Sequence, residues 1–218
     1  MNRRLVVLAT AAVAVLVLAI GAILYPQFAG NPRAATAEPV APSNLVRFNS
    51  PVIGPQNAPV TIVEYASLTC SHCADFHANT YPALKEKYID TGKVRLVFRE
   101  FPLDPLAAAG FMLARCRPSD QYFDMVDLLF DKQRQWAYAQ DPVTALLNLA
   151  KQAGFTQESF EECLTNQELL DAVNEVKDKG VKDFGVTSTP TFFINGRMLR
   201  GARGIDEFSK VIDPELNG

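Results

Sequence analysis

The sequence predicts an α/β fold, a mixed sheet built from a strand-helix-strand half and a hairpin half with a helical lobe inserted between them. Three stretches carry that prediction. Val60-Thr61-Ile62-Val63-Glu64-Tyr65-Ala66 is an apolar run of strand length, and Val94-Arg95-Leu96-Val97-Phe98 alternates as a second strand. Asn195-Gly196 separates Thr191-Phe192-Phe193-Ile194 from Met198-Leu199-Arg200 as a hairpin turn. With 218 residues, 48% of them hydrophobic, the chain can bury one sizeable core or a core with an added lobe.

At the N-terminus, Arg3 and Arg4 precede an uncharged run from Leu5 to Leu24, which as a helix would be about 30 Å long and match a bilayer's hydrocarbon core. The run reads as an export signal. A signal peptide's apolar region is normally shorter, and the best small-residue cleavage site, Ala35-Thr36-Ala37, lies far beyond its end. An uncleaved anchor over residues 1–29 is therefore preferred to a cleaved signal, with the arginines cytoplasmic and the remainder on the outer, periplasmic side of the bacterial inner membrane. That compartment is oxidising. Residues 30–49, rich in Pro and Ala, read as a linker that if flexible would span about 25 Å.

The net charge is −3, and the first 30 residues hold two of the 21 basic residues and none of the 24 acidic ones, so the rest of the chain is more acidic still. Nucleic acid is not an expected partner. Gly54-Pro55-Gln56-Asn57-Ala58-Pro59 is turn chemistry leading into the first long strand, which places the start of a domain over residues 50–218 near Ser50.

Cys70-Ser71-His72-Cys73 follows that strand and opens a segment of helical spacing. Two cysteines three apart at a helix start share one face, so their sulfurs can form a small reversible disulfide. Cys70 would also sit where unpaired N–H groups and the helix dipole favour a thiolate. His72 adds a positive charge when protonated. The alternative is a copper or zinc site made by Cys70, Cys73 and His77, which share i, i+3, i+7 spacing but have no fourth ligand nearby. Covalent haem is excluded because Ala74, not His, follows the second cysteine. Glu64 is a carboxylate in an apolar strand, placed either beneath the helix that Cys70 opens or on an edge facing water.

The helix continues through Phe76, Leu84 and Tyr88 to a stop at Asp90-Thr91-Gly92, and Pro82 should kink or divide it. With the strand from Val94 to Phe98 this makes one right-handed crossover unit. From Asp104 to about Gly185 every signal is helical. Asp104-Pro105 and Asp141-Pro142 pair a cap with a proline suited to the first turn, and Ser119, Thr156 and Asn166 are further caps. Met112, Phe123, Phe130 and Trp136 read as the lobe's core. Cys163 shares an apolar helical face with Phe160 and Leu164, while Cys116 follows Met112 by four. A structural Cys116–Cys163 disulfide is expected after export, the alternative being two buried thiols. Ile205 to Ile212 closes the chain as a helix.

Together, the strand before Cys70-Ser71-His72-Cys73, Val94 to Phe98 leading into Phe101-Pro102, and Ser188-Thr189-Pro190-Thr191-Phe192-Phe193-Ile194-Asn195-Gly196 resemble the DsbA-like thiol-disulfide oxidoreductases of the thioredoxin superfamily. The likeness covers roughly Ser50 to Leu216. It implies a thioredoxin-like sheet with its helical insertion at about residues 104–185, Cys70 as the exposed nucleophile and Cys73 as the buried resolving thiol. It further implies that Pro190 is a cis-proline presenting Thr189's backbone to a bound peptide, and that Glu64 is a buried acid assisting proton movement at Cys73. Ser71 stands where the best-known oxidase has proline, and Thr before the cis-proline resembles the isomerases as much as the oxidases. These departures leave the direction of exchange open within the family; the thiolate favoured at Cys70 points to an oxidase that donates its Cys70–Cys73 disulfide to exported proteins with free thiols and is reoxidised by a membrane redox partner, an isomerase or reductase of the same fold being the alternative. No dissociable cofactor is called for.

Overall fold

The computed structural model describes residues 50–217. The expected N-terminal membrane or signal helix and the linker after it lie outside the described residues; among the described residues, no helix is long and apolar enough to cross a membrane.

A short strand β1 (Val52–Ile53) precedes β2 (Val60–Ala66), the buried centre of the sheet. Helix α1 (Ser71–Asn79) begins five residues beyond the last strand residue, with Cys70 at its N-cap. It stops at Thr80 and restarts as α2 (Tyr81–Leu84), because Pro82 lacks an N–H and is tolerated only in a first turn; a π-helical turn, Lys85–Ile89, ends it. Strand β3 (Val94–Glu100) then lies parallel to β2, with Glu64 opposite Phe98. The hairpin of β4 (Thr191–Ile194) and β5 (Arg197–Arg200) adds antiparallel to the other side of β2, giving the order β1-β3-β2-β4-β5. Asn195 and Gly196 both take positive φ, as a tight hairpin of this hand requires, and Asn195 Oδ1 accepts from the Thr61 N–H at 2.9 Å.

Period-two alternation sorts the strands' residues between two cores. Val60 and Ile62 pack with Phe76, Leu84, Phe192, Phe208 and Ile212 under α1, α2 and the closing helix α9 (Ile205–Leu216). Val63 and Tyr65 pack with Val97 and Phe193 on the opposite face. By the same parity Glu64 faces the α1 side.

The lobe inserted between β3 and β4 comprises α3 (Pro105–Arg115), a 3₁₀ turn (Ser119–Gln121), α4 (Tyr122–Asp131), α5 (Gln133–Trp136), α6 (Pro142–Gln152), α7 (Gln157–Leu164) and α8 (Gln167–Phe184). Four expected caps do bond a helix N–H: Asp104, Asp141, Thr156 and Asn166 accept from Ala107, Thr144, Ser159 and Leu169. Ser119 does not, since the chain there forms the 3₁₀ turn with Pro118 ahead of it. Trp136, Phe111 and Leu129 form the lobe's core together with Leu68 and Phe98 of the sheet region. Near the end of α8, Gly180 lets the helix meet Tyr65: a Cβ there would lie 2.7 Å from the tyrosine ring. Helix α9 runs past the expected end at Ile212 to Leu216, which packs partly buried against the sheet core.

Candidate active site

The loop from β2 delivers Cys70 to the head of α1. Its carbonyl accepts from the N–H groups of Cys73 and Ala74 at 3.1 and 3.2 Å, starting the helix, and its own N–H donates to Ser67 O at 3.1 Å. Cys70 is partly exposed and Cys73 is fully buried; both are free thiols. Across from them the Thr189–Pro190 peptide is cis, and the Cys70 thiol donates to the Thr189 carbonyl at 3.5 Å. The chain thus brings Cys70, Cys73, Thr189 and Pro190 together from two parts of the sequence.

The two thiols are driven in opposite directions. Cys70 is lowered from its ordinary 9.0 to about 5, chiefly because the Cys73 thiol hydrogen-bonds to it; Thr189 and the backbone N–H groups of Cys73 and His72 add to this, and burial opposes it. The Thr189 hydroxyl acts on the sulfur although, buried, it has no partner in hydrogen-bond geometry. Cys73 is pushed well above 9.0, first by burial, then by its bond to Cys70 and by the charges of Cys70 and Glu64. His72 is exposed, and what it gives the thiolate is its backbone N–H; the expected contact of its imidazole with Cys70 is not among the bonds that lower the thiol.

Glu64 is completely buried, as its place on the α1 side of β2 dictates. Its Oε1 lies 3.0 Å from His77 Nε2, and its Oε2 has no hydrogen-bond partner. The expected link to Cys73 is therefore electrostatic, and the hydrogen bond goes to His77 instead. His77 stacks on Phe130 with ring centroids 4.2 Å apart. That ring is turned toward Glu64, and among the described residues no group of three or more His, Cys, Asp or Glu side chains is placed to hold a metal ion. In the lobe, Cys116 and Cys163 are joined in a disulfide.

The matching family model, described as Thioredoxin, covers residues 47–214. The chain is 33% identical over 173 residues to a putative protein-disulfide oxidoreductase of Rickettsia prowazekii (strain Madrid E), covering 78% of this chain and 62% of that one. It is 30% identical over 171 residues to the probable disulfide bond formation protein D of Bacillus anthracis, covering 75% of this chain and 77% of that one. The crystal structure of Wolbachia pipientis alpha-DsbA1 matches with a TM-score of 0.74 and 33% identity, covering 79% of this chain and 93% of that chain. The chain belongs to the DsbA-like thiol-disulfide oxidoreductases of the thioredoxin superfamily. It spans 62% of the Rickettsia relative's length.

Two buried side chains of this DsbA-like protein, one tied to the Cys70 loop and one to the end of the sheet, anchor the lobe without any signal in the sequence. Gln133, buried at the start of α5, donates from Nε2 to the carbonyls of Leu68 at 2.8 Å and Cys70 at 3.0 Å, tying the lobe to the loop that holds Cys70. Glu100, buried at the end of β3, accepts from Arg115 Nε at 2.6 Å and the Tyr122 hydroxyl at 2.9 Å, fixing α3 and α4 to the sheet. The pairing of Thr69 with Asp104, whose Oδ2 accepts at 2.6 Å, closes the same loop from the head of α3.

Proposed function

We propose that the protein is an oxidase of exported proteins: a substrate thiolate attacks Cys70, Cys73 leaves as the released sulfur, and a second substrate thiolate then completes transfer of the disulfide. The observation that carries this direction is the Cys70 thiol at about 5. At pH 7 a group so lowered favours the dithiol over the disulfide, which has no thiolate to stabilise, by about 3 kcal/mol, or about 60 mV for two electrons. The protein then gives up its disulfide readily. The names of the Bacillus anthracis and Rickettsia relatives support the chemistry, and the cis Thr189–Pro190 turn beside Cys70 supports a peptide as the substrate.

In this reading, Cys70 and Cys73 are the exchanging pair and His72 supplies a backbone N–H. Glu64 assists protons at Cys73, Thr189 and Pro190 form the peptide site, and Cys116–Cys163 is structural. The domain over residues 50–218 works on the periplasmic side of the inner membrane, held by the apolar run in residues 1–29 if it is not cleaved and reached through the linker over 30–49. A membrane redox partner restores the disulfide. Equilibrating the protein with a glutathione series, alongside thiolate absorbance against pH, tests the direction. An oxidising potential with a thiolate forming near pH 5 is expected. A thioredoxin-like potential with a Cys70 pKa near or above neutrality would replace the oxidase by a reductant.

A further inference from the structure

Two buried polar atoms stand without hydrogen-bond partners at either end of one short contact. Glu64 Oε2 and His77 Nδ1 are both unsatisfied, while Oε1 and Nε2 between them are 3.0 Å apart. The four atoms form a string that starts at the carboxylate whose charge acts on Cys73 and leads outward through α1. The His77 side chain is 7% exposed. Its ring is stacked on Phe130 of α4 and flanked edge-on by Phe76 of α1 and Phe98 of β3, so it is held in this orientation.

Beyond Nδ1 the surroundings change. His77 lines a cavity of about 620 Å³ together with Asp127 and Asp131 of α4, Asp75 of α1, Lys85 beside α2, and Arg134. Asp127 Oδ1 lies 4.0 Å from His77 Nδ1, and the Asp127 side chain is about half exposed. Burial pushes the Asp127 carboxyl up, so this carboxylate binds a proton more readily than a fully solvated one. The groups with ionisable character that face His77 are thus Glu64 from β2, Tyr81 from α2, with its ring centroid 5.1 Å away, and Asp127 from α4. The β3 neighbour, Phe98, is apolar.

We propose that His77 carries protons between this cavity and the buried Glu64, with Asp127 as the outlet, so that Cys73 exchanges its proton through the interior of the domain. The proposal rests on Cys70–Cys73 being the exchanging pair, and not on the direction of exchange. When a substrate thiolate attacks Cys70, the Cys70–Cys73 bond breaks, a Cys70–substrate bond forms, and Cys73 leaves with the electron pair. Burial makes that thiolate a strong base. His77 takes up a proton at Nδ1 from cavity water by way of Asp127 and gives one from Nε2 to the Glu64 carboxylate, which hands it on to Cys73. One proton moves from solvent to sulfur; no electrons travel along the string. Reoxidation runs the same path backwards. His77 is a positioning residue here, acting on sulfur through Glu64.

The test uses the full chain and follows reduction of the disulfide form by dithiothreitol, and reoxidation by oxidised glutathione, from about pH 5 to about 9. His77→Gln can keep a hydrogen bond to Glu64 but cannot carry a proton. Both rates are expected to fall about tenfold or more with a flattened pH profile and little change in melting temperature. In His77→Ala, imidazole entering the cavity should restore part of the rate. A His77→Gln protein with wild-type rates and pH profile would overturn the conduit, and so would a slow His77→Ala protein that imidazole does not restore. A wild-type protein inert to both reagents would instead overturn the assignment of Cys70–Cys73, and the conduit with it.

Discussion

The protein holds two pairs of cysteines, and their surroundings separate them more than their chemistry does. Cys70 and Cys73 sit at the head of α1, where one sulfur accepts hydrogen bonds at a partly exposed position and the other is held neutral by burial, so the pair is polarised with a thiolate on the exposed side. Cys116, exposed at the end of α3, is joined to Cys163 of α7, which is buried in the lobe's core with its sulfur 3.2 Å from the Met112 carbonyl oxygen, which would repel a negative charge. A pair of cysteines gives up its disulfide readily when the sulfur released from the mixed disulfide, here Cys70, leaves as a stabilised anion. Only the first pair has that provision.

The strongest way to break this contrast is Cys70→Ser, which is expected to reduce thiol-disulfide exchange to background in an insulin-reduction or peptide-oxidation assay while leaving the fold intact. Retained exchange would move the nucleophile elsewhere. Next, replacing Cys116 and Cys163 together by Ala should leave exchange at Cys70 within about twofold but lower unfolding stability. In the chain-entropy model, a crosslink across 47 residues contributes about 4 kcal/mol. Urea unfolding measures this, and an unchanged midpoint would show that the lobe's core, not the crosslink, holds α3 to α7.

The polarity of the first pair fixes how its potential follows pH. Cys70 is depressed, so the stabilisation of the reduced form is complete above pH 9 and is lost as pH falls through about 5. Between about 5 and the raised Cys73 value, reduction takes up one proton for two electrons, and the potential should fall about 30 mV per pH unit. Below about 5 two protons are taken up and the slope should double. Glutathione equilibria across that range check the break. A single slope of about 60 mV throughout would mean that Cys70 is not selectively stabilised as a thiolate.

Much of this arrangement is legible in the chain. An apolar strand followed by Cys-x-x-Cys at a helix start, a divided helix at Pro82, four capping residues and an Asn-Gly hairpin are local signals, and each acts within a few residues of where it is read. Glu64's burial follows from strand parity once the faces are known. The choice made by His77 is not local: a helical histidine can turn to a metal, to solvent or to a strand residue, and its partner lies 13 positions away. Gln133 reaches back 65 and 63 positions to Leu68 and Cys70, and nothing in its own segment marks it as more than a helix residue. The end of α9 was hidden by Pro214, which removes one helix hydrogen bond, while burial of Leu216 favours continuing the turn.

Gln133 also provides the smallest and most discriminating test, because it is a buried polar link between the lobe that holds one cysteine pair and the loop that holds the other. Its Nε2 is shared between the Leu68 and Cys70 carbonyls, and the latter already accepts from the N–H groups of Cys73 and Ala74. Removing the link therefore leaves the start of α1 hydrogen-bonded, so the loss should be near that of one ordinary bond. Gln133→Met fills similar space without a donor and is expected to lower stability by about 1 kcal/mol. The Cys70 thiolate should still titrate near 5, since Gln133 is not among the groups that lower it. A larger shift of the thiolate than of the unfolding midpoint would show that the lobe tunes Cys70 through its carbonyl. In that case, the two cysteine pairs belong to one coupled unit rather than to separate ones.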